Sequence, residues 1–133
     1  MILYIDGGSR GNPGPAGYGV RVETADGTLV EEVSASIGVA TNNVAEYNGL
    51  LAALRYAIDH GYRDIVVRSD SELLVKQMLG AYRVKHPGLQ PLYGQAKLLT
   101  ARLGRVRFQH VRREFNAHAD RLANTAMDQA AQD

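Results

Sequence analysis

Ile2-Leu3-Tyr4-Ile5-Asp6-Gly7-Gly8-Ser9 carries four apolar residues directly into an acid and two glycines. An unbroken apolar run reads as a central strand covered on both faces, and Asp-Gly-Gly as the turn that ends it. The pattern repeats at Ile65-Val66-Val67, which runs through Arg68-Ser69 into Asp70-Ser71. The neighbouring strands are of another kind. Tyr18, Val20 and Val22 alternate with Gly19, Arg21 and Glu23, then Ala25-Asp26-Gly27 offers a turn before Leu29 to Ile37, so a β-hairpin is expected. Val106 to Val111 supplies a fifth, alternating strand.

Helical spacing fills the gaps. Tyr47, Leu50, Leu51, Leu54 and Ile58 recur along one helix, with Gly61 placed to end it. Shorter patterns follow Ser71 and Pro91, and Ala117 to Ala130 closes the chain with Leu122, Ala123, Ala126 and Met127 on one side. Tyr82 to Gly94, with Pro87, Gly88 and Pro91, reads as an irregular connection. The element order is βββαβααβα, an α/β chain. A meander followed by right-handed helical crossovers leaves strands one, three, four and five pointing the same way. Asp6 and Asp70 then end strands one and four. Glu46 and Asp120 ride within about the first turn of helices leaving the same edge, where open α/β sheets place their ligands.

Composition sets outer limits. With 133 residues, 45% of them apolar and no run long enough to span a bilayer, residues 1–133 are expected to form one soluble domain and to act as a monomer. The start of the chain lacks the basic and apolar regions of a secretory signal, so the default address is cytoplasmic. Absence of cysteine excludes disulfides and thiolate metal sites, leaving carboxylates as ligands for a hard cation, magnesium or manganese. The net charge of +1 hides an asymmetry: residues 1–59 carry −4 and residues 60–133 carry +5. A basic half suits a phosphate backbone, but a solvated face accounts for the same tally.

Each acid also has an ordinary structural reading. Asn43-Val44-Ala45-Glu46 has the spacing of a capping box, Asp120 suits a helix dipole, Asp70 a cap, and Asp6 a turn. Their convergence on one edge does not follow from those readings. Four clustered carboxylates repel one another unless cations compensate them, and two divalent ions so held can serve an in-line phosphoryl displacement. Gly11-Asn12-Pro13-Gly14-Pro15-Ala16-Gly17 is too rich in proline for a nucleotide phosphate loop and reads as a shaped turn, close to which a nucleic-acid backbone could pass. Thr41, Asn42 and Asn43 at a helix start offer either a phosphate seat or plain capping.

Taken together, Asp6-Gly7-Gly8-Ser9 with Gly11-Asn12-Pro13-Gly14, Thr41-Asn42-Asn43-Val44-Ala45-Glu46, Ser69-Asp70-Ser71 and Asn116-Ala117-His118-Ala119-Asp120 resemble ribonuclease H of type 1. The resemblance spans nearly the whole chain. It implies a ribonuclease H-like fold with a five-stranded mixed sheet, order 3-2-1-4-5, flanked by helices. It also implies an endonuclease that cuts the RNA strand of RNA/DNA hybrids to 5′-phosphate and 3′-hydroxyl ends. Asp6, Glu46, Asp70 and Asp120 match the family's metal-binding acids, with two magnesium or manganese ions. Gly7, Gly8, Ser9, Asn12, Asn43 and Ser71 fall where the family grips the hybrid's minor groove, and Thr41 and Asn42 where it seats a DNA phosphate.

Two departures stand out. Many bacterial members carry a histidine in the loop before the last acid; here the loop reads Val111-Arg112-Arg113-Glu114-Phe115-Asn116, leaving Arg113 or Glu114 to substitute, with His110 and His118 weaker candidates. Tyr82 to Gly94 is too short and too sparsely basic for the helical handle of some members, so Arg83, Lys85, Lys97 and Arg102 stand as a thinner replacement. Two competing readings are a hybrid-binding module with impaired catalysis and another nuclease of the same superfold. All four acids being present opposes the first, and Gly7-Gly8 after Asp6, in place of an Asp-x-Glu opening, opposes an exonuclease.

Overall fold

The apolar runs pair side by side in a computed structural model that describes residues 1–132. Strands β1 (Ile2–Ser9), β2 (Gly14–Glu23), β3 (Leu29–Ala40), β4 (Asp64–Ser69) and β5 (Arg105–His110) form one sheet in the order β3-β2-β1-β4-β5. Pairing of β1 with β2 and of β2 with β3 is antiparallel; β1–β4 and β4–β5 are parallel. Four helices complete the fold: α1 (Asn42–Asp59), α2 (Glu72–Met78), α3 (Gln90–Arg102) and α4 (Ala117–Gln132), with a short 3₁₀ turn at Arg113–Phe115 before the last. The strand order and directions match the expectation. No helix among the described residues is long and apolar enough to cross a membrane.

One face of the sheet packs large apolar side chains. Leu3, Ile5, Val20, Val22, Ile65 and Val67 meet Tyr47, Leu50, Leu51 and Leu54 of α1, with Leu74 and Met78 of α2 alongside. The Tyr47 hydroxyl donates to Gln77 Oε1 at 2.6 Å, which satisfies a buried pair and ties α1 to α2. Gly61, at φ 71°, follows the end of α1 as its sequence position suggested.

The other face is covered by α4, which lies over β2, β3 and β1. Here the approach is close. A Cβ on Gly17 would stand 2.4 Å from Ala126 Cβ, and one on Gly19 2.4 Å from Leu122 Cβ and 2.6 Å from the Ala119 carbonyl oxygen. The alternation in β2 therefore does not set core against solvent; the glycines admit a helix backbone where a side chain would block it. Ser34 Oγ donates to the Leu122 carbonyl at 2.6 Å, and Arg121 bonds Glu32 at 2.7 Å, fastening α4 to β3.

Several expectations need correction. β1 does not end at Asp6: Gly7, Gly8 and Ser9 pair with Tyr18, Gly17 and Ala16, so the acid stands within the strand. Nor is β1 covered equally on both faces, because Leu3 and Ile5 are buried while Ile2 and Tyr4 are only partly so. α4 stops short of β4, and over that part of the sheet the Tyr4 hydroxyl accepts from Arg68 at 2.8 Å. The Gly11–Gly17 segment is a turn only in its first half, since β2 begins at Gly14. The irregular connection ends before Gln90, and Gly94 lies inside α3; Pro91 fits its first turn, where a missing N–H costs nothing.

Candidate active site

Three close contacts and one register bring the acids together. Parallel pairing of β1 with β4 sets Ile5 opposite Ser69, so the next residues, Asp6 and Asp70, are neighbours. Glu46 arrives on α1, whose backbone crosses directly over Gly7: a Cβ there would be 2.5 Å from the Ala45 carbonyl and 2.6 Å from Glu46 N. Asp120 arrives on α4 through Gly19, which pairs with Asp6 in β2 and lies beneath Ala119 and Leu122. Asn116 completes the arrangement. It is buried, its Nδ2 donates to the Ile5 carbonyl at 2.9 Å, and its own carbonyl accepts from Asp120 N at 3.0 Å, pinning the start of α4 to the strand that holds Asp6.

The result is a cleft of about 510 Å³ lined by Asp6, Gly7, Gly8, Ser9, Arg10, Asn42, Glu46, Asp70, Arg113, Asp120, Asn124 and Met127. All four acids face it. Burial, then the Asp70 carboxylate and the hydrogen-bonded Asp120, push the Asp6 carboxyl up to about 8. Burial likewise pushes Glu46 up to about 7, opposed by a hydrogen bond from Ser71 and aided by Asp70. Asp70 is also raised, chiefly by burial, with the Asn116 amide and Arg113 guanidinium working against the rise.

This donor set fits a hard divalent cation. Four carboxylates crowd into one cleft, Asp6 and Glu46 resist ionising there, and a divalent charge would relieve that resistance. It is not a ready-made cage, since among the described residues no three His, Cys, Asp or Glu side chains are grouped to hold a single ion. The fit rests on the chemistry of the acids and the charge they share.

The expected nucleic-acid contacts divide in two. Gly7, Gly8, Ser9 and Asn42 line the cleft; Asn12, Thr41, Asn43 and Ser71 do not. Asn42 Oδ1 accepts from Ser9 N at 2.8 Å and Asn42 N donates to Asn12 Oδ1 at 3.0 Å, so these side chains lace the β1–β2 connection to α1. Thr41 caps α1 by accepting from Val44 N at 3.3 Å, which replaces the capping box read at Asn43–Glu46 and leaves Glu46 one turn inside the helix. Ser71, not Asp70, caps α2, accepting from Leu74 N at 3.2 Å. Arg113 lines the cleft beside Asp70, whereas Glu114 pairs with Arg112 at 3.5 Å and is not among the lining residues.

Sequence reading passed over Arg10, Asn124 and the anchoring role of Asn116. Asn124 Nδ2 donates to Asp120 Oδ2 at 3.2 Å, a contact that its four-residue spacing from Asp120 could have signalled. Asn116 and Arg10 act through partners more than a hundred residues away, and no local pattern marks those contacts.

Comparison with known proteins agrees with this geometry. A family described as reverse transcriptase-like matches residues 4–126. The chain is 53% identical over 133 residues to the bifunctional protein Rv2228c of Mycobacterium tuberculosis, covering 99% of its own length and 36% of that protein. It is 46% identical over 127 residues to ribonuclease HI of Halobacterium salinarum, covering 96% of itself and 64% of the relative. The chain thus spans less than two thirds of the length of these curated relatives. Among solved structures, the N-terminal RNase H domain of Rv2228c superposes with a TM-score of 0.93 at 52% identity, covering 99% and 97% of the two chains. LC11-RNase H1 in complex with an RNA/DNA hybrid gives 0.92 at 44% identity over 98% of each chain. With the family match extending across the sheet and into α4, and with relatives of this identity named ribonuclease HI, the chain belongs to the type 1 ribonuclease H family.

Proposed function

We propose that this chain is a divalent-metal-dependent endonuclease that hydrolyses the RNA strand of RNA/DNA hybrids, leaving 5′-phosphate and 3′-hydroxyl ends. It works as a single monomeric domain with a cytoplasmic address. The observation that carries this reading is the cleft into which Asp6, Glu46, Asp70 and Asp120 converge. The likeness to LC11-RNase H1, solved with a hybrid, supports the substrate.

Asp6, Glu46, Asp70 and Asp120 would hold two magnesium or manganese ions, which when bound supply Lewis-acid polarisation of the scissile phosphate and neutralise its developing charge. The chain's own residues do the rest. Gly8 keeps β1 free of a bulky side chain where it lines the cleft, so a nucleic-acid backbone can lie close to the acids, and Gly7 beside it seats the α1 backbone that carries Glu46. Thr41 and Asn42 open α1, where the positive end of the helix dipole and the Thr41 hydroxyl, which can donate while it accepts from Val44 N, suit a phosphate of the uncut strand; the Asn42 N–H is engaged by Asn12. Arg113 faces Asp70 and places a positive charge beside the reacting phosphate. Selection of RNA for cutting follows from the 2′-hydroxyl, which only that strand offers to Glu46 and to the polar groups around it.

The test is an end-labelled RNA/DNA hybrid set beside matched double-stranded DNA and double-stranded RNA, each with magnesium, manganese or chelator. Hybrid-only cutting that chelator stops is the expected outcome. Hybrid binding without cutting would point to an impaired binding module, and cutting of DNA ends or junctions to another nuclease of the superfold. Asp70→Asn should abolish cutting and leave the fold intact, because it removes one charge from a mutually repelling set. Retained cutting in that variant would remove Asp70 from the ligand set.

A further inference from the structure

Two guanidiniums line the acid cleft among the described residues, Arg113 and Arg10, and their situations differ. Arg113 faces Asp70. Arg10 lies on the β1–β2 connection and reaches across the mouth of the cleft to α4, where its Nη2 donates to Asp128 Oδ1 at 2.8 Å. Its backbone is held firmly. Arg10 N donates to the Pro15 carbonyl at 2.8 Å, the adjacent Ser9 N donates to Asn42 at 2.8 Å, and a Cβ on Gly14 would come within 2.0 Å of the Arg10 carbonyl oxygen.

The head of the side chain is the opposite of its root. Arg10 is 46% exposed and Asp128 65%, so water screens the pair and the bond adds little to stability. A phosphate offers two oxygens to the planar guanidinium fork and holds it better than one exposed carboxylate oxygen does. A cleft dominated by four acids also needs cationic contacts at its margin if a polyanion is to settle in it.

Resting on the hybrid-cutting reading above, we infer that Arg10 is a substrate-binding residue whose guanidinium leaves Asp128 for a backbone phosphate of the bound hybrid. Asp128 keeps the side chain extended across the mouth when no substrate is present. Arg10 takes no part in the chemical step.

The experiment compares Arg10→Ala, Arg10→Lys and Asp128→Asn with the parent chain. Binding of a fluorescent hybrid is followed by anisotropy in chelator over a salt series, and steady-state cutting is followed in magnesium. Arg10→Ala should weaken binding about tenfold, as expected for loss of one charged hydrogen-bonded contact, and lower the salt slope by about 1. KM should rise with kcat unchanged. Arg10→Lys should keep the salt slope and recover part of the affinity, and Asp128→Asn should tighten binding about twofold at low salt by freeing the guanidinium. Unchanged affinity and slope in Arg10→Ala would overturn the inference. So would equal losses in Arg10→Ala and Asp128→Asn with a matching fall in Tm, the signature of a purely structural clamp. Binding is measured with cutting silenced, so a parent chain that binds hybrid without cutting it refutes the activity and leaves the Arg10 result standing. A parent chain that neither binds hybrid in chelator nor cuts it in magnesium refutes both, and one that cuts only in magnesium puts the decision on KM, where an unchanged value in Arg10→Ala overturns the inference.

Discussion

Across the body of the sheet, Leu3, Ile5, Val20, Val22, Ile65 and Val67 interlock with the leucines of α1; around the acids, Gly7, Gly17 and Gly19 let helix backbones touch strand backbones. The two regions answer different demands. Interlocked side chains bury apolar area and can readjust through rotamers when a neighbour changes. A backbone resting on a glycine has no side chain to readjust, so whatever it carries is set by the contact itself. Glu46 follows directly on Ala45 over Gly7, and Asp120 lies between Ala119 and Leu122, which with Ala123 cover Gly19. Stability therefore resides mainly in the leucine-rich body, and the placing of the acids in the glycine seams.

The largest effect should come from adding one carbon to a seam. Gly19→Ala places a Cβ about where Leu122 Cβ and the Ala119 carbonyl already stand, so α4 must lift from β2. Overpacking of this kind costs about 1–3 kcal/mol. The displaced Asp120 should cost about 100-fold in single-turnover cutting by the folded protein, the usual consequence of moving a catalytic group by an ångström. Denaturation midpoints give the first quantity and single-turnover rates the second. A variant that folds and cuts at the parent rate would show that the seam does not position the acid.

Leu54→Ala is the matching change in the body. Leu54 is fully buried among the α1-face residues, and its truncation should cost about 3 kcal/mol through lost transfer energy and an unfilled cavity. Measured below its unfolding transition, the variant should cut at the parent rate. A loss of rate per folded molecule comparable to that of Gly19→Ala would erase the distinction between the regions.

The same division explains what the sequence disclosed. The body is written in local periodicity: alternation in β2, three- and four-residue spacing in α1, small and apolar residues along one side of α4. Strand order and direction were thus within reach, and the four acids stood out by their settings. The seams are harder to read, because Gly7-Gly8 and Gly14 to Gly17 suggest turns when considered alone and become strand only through pairing: Gly7 with Tyr18, Gly8 with Gly17, and Gly14 to Gly17 with β3. Gly19 enters the sequence only as one member of an alternating hairpin strand, because the helix that covers it comes a hundred residues later. Thr41, not Asn43, caps α1, a shift of two residues that places Glu46 inside the helix over the cleft. The anchoring contact of Asn116 and the contact of Arg10 are invisible for the same reason: their partners, Ile5 and Asp128, are 111 and 118 residues away.

A smaller effect tests whether the seams hold the acids against their own repulsion. A carboxyl whose folded pKa lies above its unfolded value stabilises the fold at low pH and loses that contribution as pH rises to the folded value. For Asp6 the window runs from 3.8 to about 8, and for Glu46 from 4.5 to about 7. In chelator, Tm should therefore fall between about pH 5 and pH 8, as protons leave carboxyls that burial strips of water and that cannot move apart. Magnesium should restore it at the upper end, since a divalent cation replaces the lost protons and binds better as they leave. Asp6→Asn removes the most strongly shifted group, and at pH 8 in chelator it should melt about 4 °C above the parent, with a flatter dependence on pH. A Tm that stays level across that range in the parent, or an Asp6→Asn curve that runs parallel to it, would mean that the glycine contacts hold the acids together without appreciable electrostatic strain.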